Sequence, residues 1–179
     1  MNQKLVWVLL LLLLAGCSGK PPYQAKHAHN FNFSGLSSYS LYNRNSDFTE
    51  YQNMSDTTRN SIEIAIEKVF DRQGWTFKAP DSADIIVTYH IVNLQSELNL
   101  YNRGVKFCRP CLPVKHPQDQ PYFSAALPGT LILDLIDVNS NRTMWRGMSR
   151  LKINDHDHSI DVHEKVERAV TTLVGTIPR

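Results

Sequence analysis

Two cysteines separated by two residues, Cys108 and Cys111, form the most distinctive motif in the chain. Such a pair can form a disulfide, act as a redox couple or bind a metal. A redox pair normally begins a helix whose N-terminus lowers the thiol pKa, but several prolines nearby disfavour a helix here. A zinc site would have only His116 as a nearby third ligand. We therefore predict a local disulfide, with redox and metal roles as the alternatives.

A second group of potential ligands is the turn Asp155-His156-Asp157-His158, which is followed by His163. The histidines His156, His158 and His163 could hold a divalent ion if the turn folded around it. The same residues stand where a helix is predicted to begin, and acidic side chains there cap free amide groups and favour the helix dipole. We therefore interpret the turn as a helix cap, with a metal site as the alternative.

Two residue pairs near a predicted hairpin are poorly arranged for catalysis. Asp134 and Asp137 are three positions apart and so lie on opposite faces of a regular strand, whereas acid–base catalysis needs convergent carboxylates. We interpret Asp137 as a turn residue. Trp145 and Arg146 are adjacent, so we predict Trp145 in the core and Arg146 free on the other face. No Ser-His-Asp order, phosphate loop or GxSxG elbow is present, and we predict a non-enzymatic protein without a cofactor.

The N-terminus predicts export followed by lipid attachment. Residues 1–16 contain an apolar run from Leu5 to Leu14 that is too short to span a bilayer and is typical of a signal peptide. The sequence Leu14-Ala15-Gly16-Cys17 resembles a lipobox, the motif read by lipoprotein signal peptidase. That resemblance implies that Cys17 receives a diacylglycerol and an N-acyl chain such as palmitate.

A lipidated Cys17 would make the membrane the first partner of the mature chain. Several acyl chains anchor durably, because each buried methylene contributes about 0.8 kcal/mol. Ser18 stands where an aspartate would resemble the inner-membrane retention signal of enteric bacteria, which favours the outer membrane and its periplasmic face. Residues 17–30 contain Gly19 and two prolines, and we predict a flexible linker there.

Charge and composition argue against nucleic acid as a partner. The chain has 19 Lys and Arg against 17 Asp and Glu, and the leader removes only Lys4. Phosphate binding needs a basic stripe, and the sequence has none. The apolar fraction of 42% is concentrated in periodic blocks, which predicts one folded domain over residues 31–179.

Periodicity predicts six elements in this domain. In chain order they are a strand at 31–41, a helix at 56–73, a strand at 85–94, two hairpin strands within 131–153 and a helix at 162–177. Ser55 or Asp56 can cap the first helix, and Gly74 can end it. We predict an α+β fold of order β-α-β-β-β-α, with two amphipathic helices on one face of a mainly antiparallel four-stranded sheet. The other face would be more polar, or covered by something else.

Several short phrases occur together in a characteristic order. They are Gly74 after the first helix, Ala83-Asp84-Ile85-Ile86-Val87, Gly129-Thr130-Leu131 before Asp134 and Asp137, and Trp145-Arg146-Gly147. Together, behind a lipobox, they resemble the DUF4136 family of bacterial lipoproteins over roughly Phe31 to Ile177. Because that family is defined by an unknown function, the resemblance implies fold and location but no activity and no catalytic residues.

Residues 102–128, which we call the proline-rich segment, depart from that family pattern. Five prolines exclude a helix or a central strand, and loops this long are usually functional or disordered. Aromatic and basic side chains suit protein recognition. The candidate partner-binding residues are Phe107, Arg109, Lys115, Tyr122 and Phe123. A mobile insertion pinned by its disulfide is the other interpretation of the segment.

These observations predict a membrane-anchored periplasmic binding module with an envelope protein as its possible partner. The alternative function is a small-ligand or metal-binding protein that uses the His-rich turn or the CxxC loop. Stoichiometric zinc or copper in purified protein would favour that alternative.

Overall fold

The chain folds as a mixed β-sheet with helices on both of its faces. The structure is a computed structural model that describes residues 23–42, 54–107, 112, 126–154 and 156–178. Within them, the strands are β1 (Tyr23–His27), β2 (Ser38–Leu41), β3 (Thr76–Phe77), β4 (Ile85–Val92), β5 (Thr130–Asp137) and β6 (Arg142–Arg150). The α-helices are α1 (Asp56–Arg72), α2 (Gln95–Gly104) and α3 (Ser159–Val174). The strand order in the sheet is β1-β6-β5-β4-β2-β3.

The antiparallel strands β4, β5 and β6 form the centre of the sheet and define its two ends. At one end Val92 pairs with Thr130, and Thr130 pairs with Arg150. At the other end Ile85 pairs with Asp137. We call these the Val92 end and the Ile85 end. None of the helices in the described part of the chain is long and apolar enough to cross a bilayer.

Local sequence signals set the turn and the ends of the first helix, as predicted. The carboxylate of Asp137 accepts a hydrogen bond of 2.9 Å from the amide of Ser140, which turns the chain between β5 and β6. The hydroxyl of Ser55 accepts a hydrogen bond from the amide of Thr58 at the start of α1. Gly74 takes a φ of +80° just after that helix. The predicted elements corresponding to α1, β4, β5, β6 and α3 are confirmed.

The prediction of a flexible linker over 17–30 was wrong for its second half. Residues Tyr23–His27 form β1, which pairs antiparallel with β6 along its whole length. This short, largely polar segment has no periodic pattern to signal a strand. It is ordered instead by the backbone hydrogen bonds that the exposed edge of β6 offers.

The predicted four-stranded, mainly antiparallel sheet also needs correction. The predicted strand at 31–41 is reduced to β2, because Phe33–Gly35 forms a 3-10 turn that is capped by the side chain of Asn32. β2 runs parallel to both β3 and β4. The fold is therefore α+β as predicted, but its sheet is mixed and its described part has six strands.

The sequence did not predict helix α2, whose last three residues lie within the segment 102–128 from which a helix had been excluded. Helix α2 covers the face of the sheet opposite α1 and α3. Side chains alternate along a strand, so Leu131, Leu133 and Leu135 of β5 pack in the core with α1 and α3. Ile132 and Ile136 pack in a smaller core with α2. The prediction that the two long helices share one face is confirmed, and the second face is covered rather than open.

A single carboxylate ties β2 to β4 at the Ile85 end. Asp84 accepts hydrogen bonds of 2.8 to 3.1 Å from the amides and hydroxyls of Ser37 and Ser38. These hydrogen bonds, with that from the Ser37 amide foremost, stabilise the charged form and lower the pKa of Asp84 to about 2. The contact fixes the parallel register of β2 against β4.

Gly147 on β6 leaves room for the indole ring of Trp145. A Cβ atom at this position would overlap Cη2 of Trp145 and would lie 3.1 Å from Cδ2 of Leu173. We expect Gly147→Ala to lower the free energy of unfolding by about 1–3 kcal/mol, because the core must shift to relieve the overlap. Chemical denaturation measures this change. Gly35→Ala is the control, since a Cβ there meets only Asn32, at 3.4 Å. Equal loss in both variants would contradict this packing.

Candidate functional site

The face of the sheet beneath α2 carries an enclosed set of polar side chains, which we call the α2 cluster. Its strand members share this face because side chains alternate along a strand. The cluster consists of Thr88 and His90 on β4, Asp134 on β5, Arg146 on β6, and Tyr101 and Asn102 on α2. All except Asn102 are buried. The cluster therefore lies between the sheet and α2.

A bidentate ion pair between neighbouring strands forms the centre of the cluster. Nε of Arg146 lies 2.7 Å from Oδ1 of Asp134, and Nη2 lies 2.7 Å from Oδ2. The two residues stand directly opposite each other in the register of β5 and β6. Both side chains are 0% exposed. Because an isolated charge in the protein interior is strongly unfavourable, each of these charges depends on the other.

The prediction that Arg146 is free was wrong, although the prediction that Trp145 lies in the core is confirmed. The two residues do point to opposite faces of β6, as adjacent strand residues must. Arg146 is buried because α2 closes the face on which it lies. Asp134 and Asp137 are also separated as predicted, one in the α2 cluster and one in the hairpin turn.

Helix α2 supplies further hydrogen-bond partners to the ion pair. The hydroxyl of Tyr101 donates to Oδ2 of Asp134 at 2.7 Å. Because the single proton of Tyr101 is used there, the hydroxyl of Thr88, 2.9 Å away, donates to the Tyr101 oxygen. Nη1 of Arg146 donates to Oδ1 of Asn102 at 2.7 Å. Burial, followed by the charge of Asp134, raises the pKa of Tyr101 well above its usual value, so Tyr101 stays a proton donor.

His90 is buried without a hydrogen bond to either ring nitrogen from the described residues. Its ring stacks on Tyr101, with centroids 4.7 Å apart and planes 15° apart. Burial first, and then the positive charge of Arg146, lower the pKa of His90 to about 4. The imidazole is therefore neutral at pH 7, and no described group is placed to exchange a proton with it.

Phe107, the residue of the predicted partner-binding set that the structure describes, closes the cluster after α2. Lys106 has a φ of +46°, which bends the chain back at the end of the helix. The amide of Phe107 then donates to the carbonyl of Asn102 at 2.9 Å. The ring of Phe107 lies over the guanidinium of Arg146, with Cζ 3.8 Å from the ring centroid. Phe107 is thus a packing residue that makes a cation–π contact.

Several predicted sites lie outside the described residues, so their predictions stay predictions. They concern lipidation, the disulfide and most of the partner-binding set. These residues are Cys17, Cys108, Cys111, Arg109, Lys115, Tyr122 and Phe123. Leu112, inside the proline-rich segment, is described and is buried.

The His-rich turn begins α3 with the hydrogen bonding expected of a cap. The carboxylate of Asp161 accepts a hydrogen bond of 2.9 Å from the amide of His158. His163 lies on the helix, with Nε2 3.9 Å from the carboxylate of Glu167, and His156 is exposed. Among the residues that the structure describes, no three His, Cys, Asp or Glu side chains are grouped so as to hold a metal. The capping carboxylate is therefore Asp161 in the first turn of the helix, whereas Asp157 of the predicted turn accepts hydrogen bonds from the amide of Asn154 and from Lys165.

Sequence reasoning missed the α2 cluster, but a signal for its centre was present. Asp134 and Arg146 carry opposite charges on the two strands of the predicted hairpin, and such cross-strand pairs stabilise sheets. The exact register was not predictable, because counting outward from the Asp137–Arg142 pair places Asp134 opposite Trp145, and a β-bulge between Leu135 and Ile136 shifts it to Arg146. The side chains of the cluster connect the sheet to α2 and to Phe107, so they stabilise the packing of these parts against one another.

Similar solved structures show the class of fold. A DUF4136 family protein from Bacteroides thetaiotaomicron is 11% identical, the match covers 84% of this chain and 94% of that chain, and the TM-score is 0.53. A PDZ domain protein from Parabacteroides distasonis is 13% identical, with 88% of this chain and 35% of that chain covered and a TM-score of 0.51. At these identities the likeness concerns the fold alone. No curated protein matches this chain.

The family itself follows from the sequence match. The model of DUF4136, a domain of unknown function, matches residues 23–178. The chain therefore belongs to the DUF4136 family. The match begins at the first residue of β1, so the family domain includes the strand that was predicted as linker.

Proposed function

We propose that the mature chain is a lipid-anchored protein on the periplasmic side of the outer membrane, which binds another envelope component and performs no catalysis. The proposal rests on how the charged side chains Asp134 and Arg146 of the α2 cluster are bound. They are enclosed and paired with one another, and they hold the start of the proline-rich segment. A site built in this way supports a role in presenting a binding surface.

The sheet holds the first residues of the proline-rich segment at several points. Arg146 binds the side chain of Asn102 and packs against the ring of Phe107. Between them, the carbonyl of Val105 accepts a hydrogen bond of 3.3 Å from the hydroxyl of Thr143 on β6. A segment whose start is fixed loses less conformational entropy when it binds a partner. These contacts at the start of the proline-rich segment therefore suit a recognition loop.

The lipid anchor is tested by Cys17→Ala. We expect this variant to lose incorporation of labelled palmitate and to keep its leader, because the peptidase acts on the lipidated cysteine of the motif. Metabolic labelling and the mobility of the protein on a gel measure both effects. Cys108→Ala is the matched control and should be labelled and processed normally. Undiminished labelling of Cys17→Ala would contradict the anchor.

The binding role is tested by replacing residues 113–121 with a short Gly/Ser linker, which retains the buried Leu112. We expect cooperative unfolding to be preserved and partner capture to be lost. Capture is measured by crosslinking in intact envelopes followed by co-purification, with Cys17 present. A full-length variant with Tyr122→Ser and Phe123→Ser then asks whether the aromatic side chains carry the affinity. Retained capture after the linker replacement would place the binding surface elsewhere.

A further inference from the structure

Most exposed apolar side chains of the described residues gather at one end of the sheet. In total, six large hydrophobic side chains are exposed on the surface of the described residues. Four of the six belong to the Val92 end and are between 39 and 63% exposed: Leu94, Leu127, Ile153 and Ile160. The other two lie elsewhere, Ile64 on α1 and Phe77 on β3.

The strand register brings these four residues to the same end. Leu94 comes two residues after β4, Leu127 three residues before β5, and Ile153 three residues after β6. Those three strand ends form one paired row. Ile160 lies in the first turn of α3, and Lys165, one turn further on, donates at 2.7 Å to the main-chain carbonyl two residues beyond β6. The start of α3 therefore also lies at the Val92 end.

The chain that would carry the anchor leaves the domain at this same end. Tyr23, the first residue of β1, pairs with Ser149, one residue before the end of β6. Five residues lie between Cys17 and Tyr23, and the six residue-to-residue steps of a fully extended chain span at most about 22 Å. A lipid on Cys17 would thus hold the Val92 end close to the bilayer.

The charges near the Val92 end are compatible with a lipid surface. Arg150 and Lys152 are exposed there, and cations near a membrane are attracted to anionic lipids. The acidic Asp157 forms an ion pair with Lys165, so its negative charge is compensated. Asp161 is engaged in the cap of α3.

We propose that the Val92 end contacts the bilayer through Leu94, Leu127, Ile153 and Ile160. This inference rests on the proposed lipid anchor at Cys17. Exposed apolar side chains held at an interface enter the boundary between headgroups and acyl chains. The Ile85 end then points away from the membrane, since the eight residues of β4 span about 26 Å. The start of the proline-rich segment, fixed near Thr143, faces the periplasm.

Brominated lipids can measure this orientation on the full lipidated protein. The mature chain is reconstituted into vesicles of phosphatidylethanolamine and phosphatidylglycerol whose acyl chains carry bromine, which quenches nearby tryptophan. We expect quenching of the tryptophan introduced by Leu94→Trp to be at least threefold greater than that from the matched control Phe77→Trp at the Ile85 end. The unsubstituted protein gives the background from Trp75 and Trp145.

A second set of substitutions tests whether the apolar surface holds the orientation. In the Leu94→Trp protein, adding Leu127→Asp and Ile153→Asp should reduce quenching to the background. Adding Ile64→Asp, an exposed aliphatic residue on α1, should leave the quenching unchanged. Loss of quenching in both cases would overturn the role of this surface.

The outcomes separate the orientation from the anchor. If the protein floats with the vesicles but both introduced tryptophans are quenched equally, or neither is, the orientation is overturned and the anchor stands. A blue-shifted but unquenched emission from Leu94→Trp would place a protein rather than lipid against the Val92 end, and would also overturn it. Failure of the unsubstituted mature protein to float would overturn both proposals.

Discussion

Replacing Asp134 by alanine is expected to lower the free energy of unfolding by about 3–5 kcal/mol, the largest effect of any substitution considered. The change leaves the guanidinium of Arg146 buried without its counter-charge. It also removes the acceptor of the Tyr101 hydroxyl. Since small domains are stabilised by about 5–15 kcal/mol in total, much of the stability would be lost. Urea denaturation followed by circular dichroism at pH 7 measures it.

Two further variants show whether the loss comes from the unpaired charge. Combining Asp134→Leu with Arg146→Met replaces both charges by apolar groups, and we expect most of the stability to return, as in other buried ion pairs. Asp137→Ala removes a turn carboxylate from the same strand, and we expect a loss of only about 1 kcal/mol. An Asp134→Ala protein as stable as the unsubstituted chain would contradict the arrangement of the α2 cluster.

His90 is expected to make the domain lose stability in mild acid. The pKa of His90 is about 4 in the folded chain, below the value near 6.5 of an unfolded histidine. Between these pH values the unfolded state binds the proton and the folded state does not, so stability falls as the pH falls. Above about pH 6.5 the histidine is neutral in both states, and the free energy of unfolding is at its full value with respect to His90. At pH 4 the difference between the two pKa values corresponds to a loss of about 3 kcal/mol in the free energy of unfolding.

The variant His90→Phe removes this titration while keeping a ring that can stack on Tyr101. We expect its free energy of unfolding to decline less steeply than that of the unsubstituted chain between pH 7 and pH 4. The measurement is a series of urea denaturation curves across that range. His156→Phe is the matched control, since it makes the same replacement at an exposed position outside the α2 cluster. Identical pH profiles for His90→Phe and the unsubstituted chain would refute the proposed origin of the effect.

Elements with strong local signals were predictable from the sequence. The hairpin turn at Asp137 and the ends of α1 at Ser55 and Gly74 involve hydrogen bonds or backbone angles within a few residues. Such interactions depend on residue type and short spacing alone. The long helices were predictable from their regular apolar stripes, and the need to bury both stripes placed them on one face of the sheet.

Elements stabilised by distant partners were missed. Helix α2 contributes mainly Leu98 and Tyr101 to the buried interior, which is too few for a clear apolar stripe. β1 depends on pairing with β6, more than a hundred residues later in the chain. Segments such as α2 and β1 are stabilised by the surface against which they pack. That surface is formed by distant parts of the chain, so the local sequence pattern does not reveal it.

The sequence by itself determined the directions of the side chains: Trp145 and Arg146 to opposite faces of β6, and Asp134 and Asp137 to opposite faces of β5. The two-residue period of a strand is enough for that. Only the tertiary structure decided that α2 covers the face of Arg146 and brings Phe107 over its guanidinium. The physical reason is that a strand's period fixes which way a side chain points, whereas its burial and its partners depend on which distant element packs there.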